Sequence, residues 1–180
     1  MTPEKKHILL KDSCERLVYK LFAWYNSTSG YIKGYEESEF TIIVDAIDIN
    51  RQSIIYRPYC EDEGIISSNT VSGARMFNDR KDKVFIKPYL RRLSSMTKAE
   101  AIELAELSGF KNILSVKVNQ DHIIVDVDDG VCSSERHTIW FNEIVSSIKI
   151  LDWLLKNHFD FRGLIELGLA LPAPDGMYSF

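Results

Sequence analysis

Apolar positions recur with two different periods along this chain, and the changes of period mark its elements. Near the start, Leu10, Cys14 and Leu17 stand at helical spacing behind Thr2-Pro3-Glu4. Threonine caps a helix, proline suits its first turn, and an acid suits the positive end of its dipole. A helix is therefore predicted from Pro3 to about Glu15. Val18, Tyr19, Phe22, Trp24 and Tyr25 then crowd together, and this β-branched and aromatic content favours a strand. Leu17, Leu21 and Tyr25 also share a helical face. Asn26 to Gly30 reads as a turn. Phe40 to Ile49 and Ser53 to Tyr56 read as strands joined by a hairpin connection over 48–52. Pro58 ends this pairing or marks an edge. Residues 60–80 read as irregular. Val84 to Ile86 resumes extended structure, and Pro88 keeps Lys87 out of the helical region.

Thr97-Lys98-Ala99-Glu100 forms a capping box, and Gly109 is placed to close the helix that follows. Ile113 to Val118 and Ile123 to Val127 are predicted strands, with Leu114, Val116 and Val118 on one face. Asn119-Gln120-Asp121 supplies the hairpin loop between them. Asp129-Gly130 is a second turn signal, with Val131 and Cys132 starting a third strand. Thr138 to Phe141 is short, apolar and compatible with either period. A long helix is predicted from Ser146 or Ser147, with Ile144, Ile148, Leu151 and Leu155 as one stripe and Ile150 and Leu154 widening it. Asn157 stops that helix, and Asp160 caps a short one running to Glu166. Gly168 ends the short helix, and Pro172 and Pro174 keep the tail extended. These elements predict an α+β fold with a mainly antiparallel β-sheet and about three helices: N-terminal, central capped and C-terminal buried.

The chain has 180 residues, 45% of them hydrophobic. One domain over residues 1–180 is the expectation at this length, and two closely packed lobes divided near 92–96 are the alternative. No apolar run is long enough to cross a membrane, and Ile8 to Leu10 is too short for a secretory signal. Cytoplasmic residence is expected. Cys14, Cys60 and Cys132 are odd in number and widely spaced, so they predict reduced thiols with neither a disulfide framework nor a metal knuckle. The net charge of −4 is unevenly placed. Glu36 to Glu63 holds eight acids against two arginines, and Arg75 to Lys98 holds eight bases against two aspartates. Such asymmetry marks either internal complementarity or a binding face.

Three stretches carry a resemblance: HILLKDSCERL, IKPYLRRLSSMTKAE and DWLLKNHFDFRGLIELGLALPAPDGMY. Together they resemble a group of small uncharacterised proteins of gut Bacteroidales and their phages and prophages, through KPYLRxxSSMT and WLxxxHFDxRGLIExGLAL motifs. Arg92 and Val18 stand where the group has proline, and Leu155-Lys156-Asn157 replaces its usual Asn and His. The resemblance implies a fold shared along most of the chain and a mobile-element association. It implies no activity.

Candidate chemistry is sparse. Asp121, His122, Asp126, Asp128 and Asp129 form an oxygen-rich cluster of the kind hard cations use, but their spacing fits no EF-hand loop and equally describes a solvated strand face ending in a turn. His158 and Asp160 could form an acid–base pair, but no nucleophile motif accompanies them. Neither a catalytic residue, a metal ligand nor a cofactor is assigned. Arg80, Lys83, Lys87, Tyr89, Arg91 and Arg92 combine phosphate-neutralising cations with an aromatic ring, the composition of a nucleic-acid or nucleotide contact within segment 75–98. The first expectation is a non-enzymatic accessory protein that binds a protein partner or itself. Nucleic-acid or nucleotide binding is the alternative, followed by metal-dependent hydrolysis.

Overall fold

The computed structural model describes residues 2–27, 38–48, 50–51, 53–60, 64–65, 74–75, 77–78, 83–84, 86–128, 130, 133–144 and 147–178, some of them by backbone alone. In chain order the elements are α1 (Pro3–Arg16), β1 (Leu21–Ser27), β2 (Ser38–Asp48), β3 (Ser53–Cys60), β4 (Gly64–Ile65), β5 (Ala74–Arg75), β6 (Phe77–Asn78), β7 (Lys83–Val84) and β8 (Ile86–Leu90). Then follow α2 (Lys98–Leu107), β9 (Ile113–Val118), β10 (His122–Asp128), β11 (Ser134–Trp140), α3 (Phe141–Ile144), α4 (Ile148–Lys156) and β12 (Leu171–Pro172). The fold is α+β with mainly antiparallel sheet, as the two periods in the sequence require. The chain forms two compact units, Met1–Leu90 with Leu164–Ser179, and Arg91–Gly163.

In the first unit the strands run in the order β12-β8-β1-β2-β3-β4, with β5 also on β3. Leu21, Ala23, Ile42, Val44, Ile54, Ile86 and Leu90 alternate onto one face, where Leu9 and Leu10 of α1 join them in the core. Helix α1 begins as its sequence predicts, with the Thr2 hydroxyl accepting from the Lys5 amide. Its buried face contains more than leucines. Asp12 and Arg16 are both fully buried. Arg16 Nε donates to Asp12 Oδ2 at 2.7 Å, and Arg16 Nη2 donates to Asp12 Oδ1 at 3.1 Å. Two charges leave water together only when such forked geometry offsets their desolvation. Pro58 does not end β3, which continues to Cys60. It pairs with Ile42, and among the described residues the other side of β3 has partners at Ser53–Ile54 and Tyr59–Cys60. A residue without an N–H is tolerated where the ladder lapses.

The second unit is a three-stranded antiparallel sheet, ordered β11-β10-β9. Ile123, Val125, Val127 and Ile139 face a core completed by Ala101, Leu104 and Ala105 of α2 and by Ile150, Trp153 and Leu154 of α4. Three sequence expectations are corrected here. Leu114 does not share the inner face with Val116 and Val118. Asp126 pairs with Ser115 but Val127 pairs with Ile113, so Leu114 is the extra residue of a β-bulge. The bulge turns Ile113 inward and leaves Leu114 59% exposed. The buried face of α4 keeps Ile150, Leu154 and Leu155 of the expected stripe, gains Trp153 and loses Ile148. Ile150, Trp153, Leu154 and Leu155 are buried, Leu151 is half-buried, and Ile148 is 84% exposed. Ile144 lies on α3, a separate short helix. Finally, residues 160–166 form turns rather than a helix, with Gly163 at φ +69°, a left-handed conformation that interrupts a helix.

Leu154 is fully buried, so Leu154→Ala is expected to destabilise by about 2–5 kcal/mol, whereas Ile148→Ala is expected to stay within about 0.5 kcal/mol. Urea unfolding of the two variants checks this, and equal losses would show that the buried stripe is misplaced.

Candidate functional site

The basic segment does not form one surface. Arg80 lies outside the described residues, and for Lys83 only the backbone is described, in β7. Lys87 and Tyr89 alternate with buried Ile86, Pro88 and Leu90, so they point away from the core of the first unit. Arg92 is exposed. Arg91 is committed inside the second unit. Its Nη1 donates to Glu100 Oε1 at 2.6 Å and its Nη2 to Glu100 Oε2 at 2.9 Å. Its guanidinium carbon sits 4.4 Å from the centroid of the Phe159 ring. Its backbone is held on both sides: the Arg91 amide donates to the His158 carbonyl at 2.9 Å, and the Asp160 amide donates to the Arg91 carbonyl at 2.8 Å. A guanidinium with its fork filled and its face covered has little left for a phosphate.

Glu100 also completes the capping box. Its Oε2 accepts from the Thr97 amide at 2.7 Å and from the Thr97 hydroxyl at 2.9 Å, while the Glu100 amide donates back to that hydroxyl at 3.2 Å. Burial alone would raise the Glu100 pKa. The bonds from Arg91 and Thr97 outweigh it and hold the carboxyl below its ordinary value.

The acidic cluster is likewise divided. Asp126 Oδ1 accepts from Arg136 Nε at 2.8 Å and its Oδ2 from the Ser115 hydroxyl at 2.7 Å. These bonds lower the Asp126 pKa and occupy both of its oxygens. Asp128 Oδ1 accepts from the Gly130 amide at 2.9 Å and so shapes the turn. His122 Nδ1 lies 2.7 Å from Asp121 Oδ1, and its Nε2 lies 2.8 Å from Asn119 Nδ2. Both contacts are satisfied when Nδ1 donates and Nε2 accepts, which uses the lone pair a general base would need. Asp129 lies outside the described residues, and among the described residues no group of three His, Cys, Asp or Glu side chains is arranged to hold a metal. His158 and Asp160 are buried, and His158 stands at φ +56°.

What remains accessible is the uncovered face of the second unit's sheet. Beside the Asp126–Arg136 pair it carries Ile124, the bulged Leu114, and Trp140, which is 40% exposed. The Trp140 ring lies 4.7 Å from that of His122, its cross-strand partner. The bulge and the exposed tryptophan were not legible in the sequence as a surface, because Leu114 reads as core and Thr138 to Phe141 fits either period. Comparison with models of known protein families, with curated proteins and with solved structures finds no match.

A carboxylate held low in the folded state favours folding at pH values above its ordinary 4.5, and that contribution is lost as pH falls through the lowered value. Glu100→Gln is therefore expected to lower the urea midpoint at neutral pH and to flatten its decline in acid. An unchanged acid slope in this variant would show that the Arg91–Glu100 pair does not govern it.

Proposed function

We propose that the protein is a non-enzymatic accessory protein that binds a protein partner through the uncovered face of the β9–β11 sheet. The observation that carries this reading is Trp140, an exposed aromatic residue held against His122 on a face that also presents Leu114. Tryptophan offers a large, stiff contact area, and binding energy at protein interfaces concentrates on such residues. The alternatives are supported less. Arg91 is engaged by Glu100 and Phe159, which weakens the nucleic-acid reading of segment 75–98 as a continuous basic surface. Asp126 is engaged by Arg136 and Ser115, which weakens the hydrolase reading. Among the described residues no helix is long and apolar enough to cross a membrane, and the protein is expected to act in the cytoplasm. The resemblance to phage- and prophage-associated proteins makes a mobile-element or host protein the expected partner class, with a second copy of the chain as the other form of the same reading.

Site-specific photocrosslinking tests this proposal. A photoreactive phenylalanine analogue at position 140 is expected to give one discrete adduct in cells. The same analogue at Ile55, an exposed position in the other unit, is expected to give none. A dimer-sized adduct identifies the second copy as partner. Leu114→Asp is expected to cut the adduct yield about tenfold, as loss of an interface anchor does. Equal adducts at both positions, or none at 140, would overturn the proposal.

A further inference from the structure

The two edges of the second unit's sheet differ. Strand β9 carries the bulge at Leu114 and lies against α2, and both features discourage a further strand. Strand β11 keeps an unbroken register with β10, from Trp140 opposite His122 to Ser134 opposite Asp128. Its sequence, SERHTIW, holds neither proline nor lysine to blunt an edge. Ser134, Glu135, Arg136, Thr138 and Trp140 are exposed, so the strand is open to solvent along most of its length. The Phe141 amide donates to the Asp121 carbonyl at 3.1 Å, and this pair continues the same register. Bonded and non-bonded pairs alternate in an antiparallel ladder, so Ile139, His137 and Glu135 turn their backbone groups toward β10. Arg136, Thr138 and Trp140 therefore turn theirs outward, and among the described residues no strand meets them.

We propose that two copies of this chain associate by antiparallel pairing of β11 with β11, about a two-fold axis at Thr138. Such pairing gives the outward N–H and C=O groups their partners and joins two three-stranded sheets into one. Side chains select the alignment. Centring on Arg136 opposes two like charges, and centring on His137 sets the Glu135 carboxylate against buried Ile139. Centring on Thr138 sets hydroxyl against hydroxyl and Arg136 against the partner's Trp140, with no like-charge pair. The same edge serves both copies, which closes the assembly at two. Residues 136–140 alone make the pairing, so the interface is small and the dimer depends on concentration. The two uncovered faces then lie on one side of a continuous sheet. The edge is distinct from the face itself: Leu114 lies on β9, two strands away.

Sedimentation velocity of the full chain over a concentration series tests the proposal, with a reversible monomer–dimer equilibrium as the expected result. Thr138→Pro removes both central N–H donors without touching the β10 ladder, and is expected to raise the dimer dissociation constant at least about tenfold with the far-UV circular dichroism unchanged. Thr138→Lys and Thr138→Glu keep the backbone donor and set like charges face to face, so each is expected to raise it about fivefold. An equimolar mixture of these two variants is expected to pair again as a heterodimer, seen by native mass spectrometry. Leu114→Asp is expected to dimerise like the wild type, which separates this edge from partner capture on the face. A wild type that stays monomeric at every concentration would overturn the proposal while leaving the partner face standing. So would a dimer that the three changes at Thr138 leave unaltered, or a mixture that fails to form the heterodimer.

Discussion

The forked ion pair between Arg91 and Glu100 is the contact on which the second unit depends. Glu100 is at once the third residue of α2, the closing member of its capping box and the acceptor for Arg91. Arg91 in turn exchanges backbone hydrogen bonds with His158 and Asp160 and covers the Phe159 ring. One carboxylate therefore fixes the start of a helix, the strand-like segment before it, and the turn that follows α4. The bonds to the Glu100 carboxylate are strengthened by its charge, and the partial burial of both side chains limits screening by water.

Paired charges recur in both units. Asp12 and Arg16 pair with one another within α1, and Asp126 holds Arg136 and Ser115 across three strands. Side chains that could have served a reaction are spent on architecture. The second unit also presents Trp140 and Leu114 at its surface. Aromatic and apolar side chains of this kind supply contact area rather than proton or metal chemistry.

Much of the fold was legible from local signals. The two helix starts at Thr2 and Thr97 were readable because capping is decided by residues within one turn. The hairpin at Asn119–Asp121 and the strand observed over Ser38–Asp48 were readable because β-branched runs bounded by turn residues have few alternatives. The candidate surfaces were not readable in this way. Lys87, Tyr89 and Arg91 are neighbours in sequence, yet alternation along β8 and the pairing of Arg91 with Glu100 send them to different environments.

By itself, the sequence determined the class of fold, the positions of the capped helices and the absence of recognisable catalytic motifs, since these rest on spacing and local hydrogen bonding. Tertiary structure alone decided three things. The core took Trp153 of α4 together with Ile150, Leu154 and Leu155 and left Ile148 exposed. The bulge at Leu114 reversed the face of one strand end, because a single unpaired residue inverts the alternation. Ion pairing with Glu100 withdrew Arg91 from the surface. Each of these outcomes depends on partners distant in sequence, and periodicity along one segment carries no information about them.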